Sequence, residues 1–139
     1  MTKTSRLTLF FIASMVVSGA TSADIAIIVN PSNTAEISTD DIKSLFSGRQ
    51  KSFSNGKTAL LLSLEEDNPT RSEFHDAVLG KSDAQMKAYW SKLLFTGKGT
   101  PPKETSVAEM LELIADNPNT IGYIDAASVN GNVKVIATF

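Results

Sequence analysis

Residues 59–71 read Ala-Leu-Leu-Leu-Ser-Leu-Glu-Glu-Asp-Asn-Pro-Thr-Arg, and the passage from apolar run to helix start within them decides the fold. Ala59 to Leu64 carries one hydroxyl among apolar side chains, a run that suits a strand covered on both faces. Asn68 followed by Pro69 then predicts a helix opening. The Asn oxygen accepts from first-turn amides, and proline has no amide to leave unpaired at the first helical position. A buried strand that hands over to a helix in this way is half of a βαβ unit.

Working outward, Ile25 to Asn30 is a second continuous apolar run, closed by Pro31, and predicts the first strand. Between the two runs, Ser38 and Asp41 stand three apart ahead of Ile42, Leu45 and Phe46, with Gly48 as a stop. That is a capped amphipathic helix, followed by a turn at Ser54-Asn55-Gly56. Downstream of Pro69, Phe74 and Val78 form an inward face that ends at Gly80. Ser82 with Gln85, then Met86, Tyr89, Trp90 and Leu93, predict a helix that stops near Gly97. Ser106 with Glu109, then Val107, Met110, Leu111 and Ile114, predict another that breaks at Asn117-Pro118. Ile121–Ile124 and Val133–Phe139 are the last strand candidates, with a turn at Asn130-Gly131 between them. The order predicts a single α/β domain over residues 24–139: three layers, a mainly parallel or mixed sheet flanked by helices.

The first 23 residues follow a different logic. Lys3 and Arg6 precede an apolar stretch from Leu7 to Val17, and Thr21 and Ala23 supply the small residues before a cut ahead of Asp24. The apolar stretch falls short of the roughly 20 residues that span a bilayer, so it predicts a cleaved secretory signal peptide over residues 1–23 and a mature protein outside the cytoplasm. Removing Lys3 and Arg6 takes the basic count from 13 to 11 against 15 acids, a net charge of −4. No basic stripe is present to neutralise phosphates, which argues against sequence-independent nucleic-acid binding. The chain has no cysteine, so thiolate-metal and disulfide chemistry are excluded and apolar burial alone must hold the fold.

Chemistry concentrates at the handover from strand to helix. An anion could meet the exposed amides and dipole of a helix start there, with the Thr70 hydroxyl and the Arg71 charge beside it. Equally, Asn68 caps the helix and the acids upstream complement its dipole. Glu65, Glu66 and Asp67 lack the alternating ligands and glycine of a calcium loop and read as a solvated strand end. His75, the lone histidine, has no nucleophile or paired histidine at motif spacing and reads as a solvated helix residue. Tyr89, Trp90 and Phe95 read as packing aromatics. The loop Phe95-Thr96-Gly97-Lys98-Gly99-Thr100-Pro101-Pro102 is either a partner surface or a connection.

Five segments taken together carry a likeness. Ile42-Lys43-Ser44-Leu45-Phe46-Ser47-Gly48, the Asn55-Gly56 turn, Asn68-Pro69-Thr70-Arg71-Ser72-Glu73-Phe74, Trp90, and Asn117-Pro118-Asn119-Thr120-Ile121-Gly122-Tyr123 follow an order that resembles the middle lobe of the phosphate-binding proteins of phosphate ABC transporters. Short single-lobe relatives of those proteins also have a counterpart of Phe95-Thr96-Gly97-Lys98-Gly99. The resemblance implies about half of a type 2 periplasmic-binding fold, located in the periplasm. It also implies a phosphate or similar oxyanion held by Asn68, Thr70, Arg71 and Ser72, without metal or cofactor, in phosphate uptake or sensing beside a membrane transporter or sensor.

The chain departs from the family pattern in three places. The amino-terminal lobe with its own anion loop has no counterpart, Pro69 stands where a Ser-Gly-Thr run has glycine, and Leu64 stands at the position of an arginine. Closure around a ligand then requires a second copy, as in a homodimer, or another protein. The competing expectation is a ligand-free scaffold or accessory interaction protein that keeps one lobe. No nucleophile with a base and no metal cluster can be named, which ranks an enzyme behind both.

Overall fold

Five strands form one sheet in the order β3-β2-β4-β1-β5: β1 (Ile25–Val29), β2 (Leu60–Leu64), β3 (Lys103–Thr105), β4 (Thr120–Asp125) and β5 (Lys134–Thr138). The computed structural model describes residues 24–139, so the expected signal peptide lies outside the described residues. β2 runs parallel to both β3 and β4, while β1 is antiparallel to β4 and β5, which makes the sheet mixed. All five residues of β1 are buried, as a strand covered on both faces requires. β4 and β5 are not neighbours despite the turn that joins them, because β1 lies between.

Residue parity along β4 explains the three layers. Tyr123 stacks on Phe74 at 3.8 Å, and both meet Phe46, so this face of the sheet lies under α1 (Thr39–Phe46) and α2 (Pro69–Phe74). Gly122 points the other way, toward α4 (Val107–Asp116): a Cβ there would sit 2.6 Å from Met110 Sδ and 3.2 Å from Ile114 Cδ1. Glycine is what lets α4 approach the sheet. Asn30, at the end of β1, ties the layers by donating from Nδ2 to the carbonyls of Ile114 and Ala115 at the end of α4, 2.8 and 2.9 Å away.

Helix starts follow their capping residues. Ser38 with Asp41 on α1, and Ser82 with Gln85 on α3 (Asp83–Phe95), form complete capping boxes. On α4 only half of the device appears: Ser106 accepts from the Glu109 amide, but the Glu109 carboxylate meets Lys103 at 3.4 Å instead. α2 does not continue to Gly80 as a regular helix. After Phe74 it widens into π-helical turns over His75–Leu79, and the His75 carbonyl accepts from both Gly80 and Lys81 where Gly80 takes φ 66°.

Three expectations need correction. β3 is unforeseen because Lys-Glu-Thr after two prolines has no apolar alternation; it is a short charged edge strand with only Thr105 buried. His75 is buried rather than solvated, since the widened turns bring it inward beside Phe74. Phe95 is 93% exposed at the end of α3, so it packs against nothing, unlike Trp90 in the same helix.

Candidate functional site

The carboxyl ends of β2 and β3 carry a hollow of about 180 Å³ whose walls include Ser63, Arg71, His75 and Glu104. Its polar groups are held largely by one another. Arg71 is 9% exposed, and its Nη1 donates to the Leu64 carbonyl at 2.9 Å and to Glu104 Oε1 at 2.7 Å. Nε is buried without a partner, and both bonds fall on Nη1, so Nη2 has no protein acceptor among the described residues. The aliphatic part of Arg71 is therefore fixed while half of its fork is uncommitted.

Behind Arg71 lies a second polar group. Asp83 accepts from Ser72 Oγ through one oxygen and meets His75 Nδ1 at 2.5 Å through the other. Burial lowers the His75 pKa from its ordinary 6.5, and the Asp83 hydrogen bond only partly opposes it. Burial pushes the Asp83 carboxyl up, but the hydrogen bonds from Ser72 and His75 outweigh it and hold the carboxyl below 3.8. Both shifts describe a neutral imidazole donating to an ionised carboxylate, with Nε2 of His75 left over. Across the hollow, Ser63 Oγ and Tyr123 Oη share a hydrogen bond of 2.7 Å, and burial raises the Tyr123 pKa.

The four residues expected to hold an anion are not equally placed. Asn68 caps α2, its side-chain oxygen accepting from the Thr70 amide at 3.0 Å. The Asn68 amide donates to Glu65 and the Arg71 amide to the Asn68 carbonyl, so the helix-start amides are engaged inside the chain. Thr70 is buried and its hydroxyl donates to no described group. Ser72 Oγ is committed to Asp83, and of the four only Arg71 lines the hollow. Glu65, Glu66 and Asp67 are exposed, as a solvated strand end should be. Sequence reasoning missed Glu104 and Asp83, both partners from distant segments. It had a signal for His75, four residues after Arg71 and so on the same helix face.

A larger space, about 710 Å³, opens at the opposite, amino ends of the parallel strands and contains none of the four candidates. Arg71 and the hydrogen-bonded polar groups around it sit in the smaller hollow, so the larger volume does not coincide with the expected oxyanion residues. Among the described residues no cluster of three His, Asp or Glu side chains is placed to hold a metal ion.

A mixed five-stranded sheet between helices is the architecture of one lobe of periplasmic binding protein structures. Solved structures agree. The chain is similar to an ABC-type phosphate transport receptor from Vibrio cholerae, with a TM-score of 0.63 and 20% identity, over 82% of this chain and 46% of that one. It is similar to a substrate-binding protein with bound phosphate from Clostridium perfringens, with a TM-score of 0.63 and 19% identity, over 82% and 45%. PstS from Borrelia burgdorferi matches with a TM-score of 0.60 and 12% identity, over 83% and 47%. The chain thus spans about half the length of these proteins, and at such identities the likeness establishes the fold. No protein-family model matches the sequence, and neither does any curated protein.

Proposed function

We propose that this chain is an exported binding lobe of the phosphate-transport class, cleaved after Ala23, which recognises phosphate or a similar oxyanion in the periplasm. The observation that carries this reading is Arg71: a buried guanidinium with an uncommitted nitrogen, at the sheet end where open α/β folds bind ligands. The likeness to phosphate-transport structures, one of them holding phosphate, supports the same class. Asn68 and Thr70 act from beside the hollow by setting the start of α2 that carries Arg71, and Ser72 acts through Asp83 and His75. Binding is non-covalent and needs no cofactor. A single lobe leaves the anion open on one side, so a homodimer partner or a membrane transporter or sensor supplies the opposing wall.

One observation favours a second reading, a ligand-free accessory lobe. The first-turn amides that would cradle an anion are spent on Asn68 and Glu65, and Pro69 has none to give. Calorimetry on the purified protein with phosphate, sulfate and molybdate separates the two. A saturable heat with one anion, lost in Arg71→Gln and weakened in Thr70→Ala, is the expected outcome. Flat heats at millimolar anion assign the lobe to the accessory role.

A further inference from the structure

We propose that the groove at the amino ends of β2, β3 and β4 binds a small amphipathic anion, an apolar body carrying one carboxylate or phosphate head. The groove adjoins the Arg71 hollow, with Trp90, Leu94 and Pro101 between them, but Arg71 does not line it, and it stands whether or not an oxyanion binds at Arg71. Its volume of about 710 Å³ falls in the range of small-molecule sites, roughly 300–1,000 Å³. Leu45, Leu60, Leu61, Leu62 and Leu94 supply the apolar lining, and Leu60 and Leu94 remain 46% and 56% exposed. Large apolar side chains left wet in a concave site are surface that an occupant would cover.

Charge selects the class of occupant. No Asp or Glu lines the groove, although the chain from residue 24 onward carries 15 acids against 11 basic residues. The charged groups there are Lys51 and Lys103. Lys51 has no ion pair among the described residues, and Lys103 meets only Glu109, at 3.4 Å with both side chains exposed, a pairing weak enough to be redirected. An apolar wall with two ammonium groups and no carboxylate suits an anionic amphiphile and disfavours a cationic one. The walls are also fixed in advance. The Trp90 ring is wedged between Gly48 and Gly99: a Cβ at either would lie 2.9 or 3.3 Å from it, and Pro101 stiffens the adjoining loop.

A second copy of the chain is the competing occupant, and charge opposes it. The lining carries Lys51 and Lys103 and no acid, so a twofold contact here would set lysines against lysines. Trp90, the sole tryptophan, lines both the groove and the Arg71 hollow, so variants of Leu60 and Lys51, which line the groove alone, locate its response.

The test titrates the purified protein with dodecanoate below its micellar concentration, following Trp90 fluorescence, in parallel with dodecanol and dodecyltrimethylammonium. The expected result is a saturable one-to-one change with dodecanoate, at least about tenfold tighter than with the ammonium amphiphile. Leu60→Asp, at a half-exposed position, should weaken dodecanoate by about tenfold or more with an unchanged circular dichroism spectrum. Lys51→Gln should weaken dodecanoate and leave dodecanol alone. An absent or unsaturable response, equal responses to all three amphiphiles, or indifference to Leu60→Asp overturns the proposal. So does sedimentation showing self-association that Leu60→Asp abolishes, which would make the second copy the occupant.

Discussion

The two ends of β2 are built on opposite principles. At its carboxyl end, Ser63, Leu64, Arg71, Glu104 and Tyr123 are bonded to one another except at Nε and Nη2 of Arg71, with the Ser72-Asp83-His75 chain behind them. At its amino end, Leu60 and Leu61 open onto an apolar groove whose surface is left wet. The first end holds itself in shape, and the second leaves free energy unspent. Specificity chemistry can thus be preorganised where the protein is stiff, while new contacts form where apolar surface is left open.

The largest effect tests what the stiff end rests on. Phe74 stacks on Tyr123 and meets Phe46 edge-on, so Phe74→Ala should cost about 3–5 kcal/mol. Against a total stability of about 5–15 kcal/mol this takes much of the margin, and denaturant unfolding would show it as a fallen midpoint. Arg71→Met comes next. It keeps the aliphatic packing but removes the donor to the Leu64 carbonyl, at a cost of roughly 1–2 kcal/mol, because Ser63 Oγ still reaches that oxygen at 3.2 Å. A loss as large as that of Phe74→Ala would mean that the polar group, not the aromatic stack, carries this end.

A smaller effect is read against pH. His75 and Asp83 both have folded pKa values below the ordinary 6.5 and 3.8, so the unfolded chain takes up protons first. Stability should be complete above 6.5 and decline as pH falls through the folded value of His75, then decline again below 3.8. Melting temperatures from about pH 8 to about pH 5 should show the first decline, and His75→Gln should flatten it. A wild-type curve that is already flat there would detach His75 from the polar group. The smallest effect belongs to the other end: Leu60→Ser should change stability by no more than about 0.5 kcal/mol, since Leu60 is half exposed.

Most of the fold was legible because its burial is regular. β1 is buried throughout, β4 nearly so and β2 over Leu62–Leu64, although Leu60 is half exposed where cover on both faces was expected, and α1, α3 and α4 announce themselves through a serine cap and apolar spacing. β3 was not, because a charged edge strand after two prolines has no period to read. The capping reading of Asn68 held, and it carried a consequence for the site: a cap oxygen that accepts the Thr70 amide uses up a donor the anion reading needed. The links from Arg71 to Glu104 and from Ser72 and His75 to Asp83 join segments that only the folded chain brings together, so no local pattern encodes them. The burial of His75 depends on π-helical turns, which apolar spacing alone does not reveal.

The central claim is that the guanidinium of Arg71 is available to an oxyanion, and side-chain nitrogen NMR reads this directly. From residue 24 onward the chain has two arginines, Arg49 and Arg71, and the Arg71 Nε–H signal is assigned by its disappearance in Arg71→Lys. Titration with phosphate should move the Arg71 signal along a saturating curve while that of Arg49 stays in place. Two signals that both remain fixed, or that drift together with ionic strength, would contradict the account.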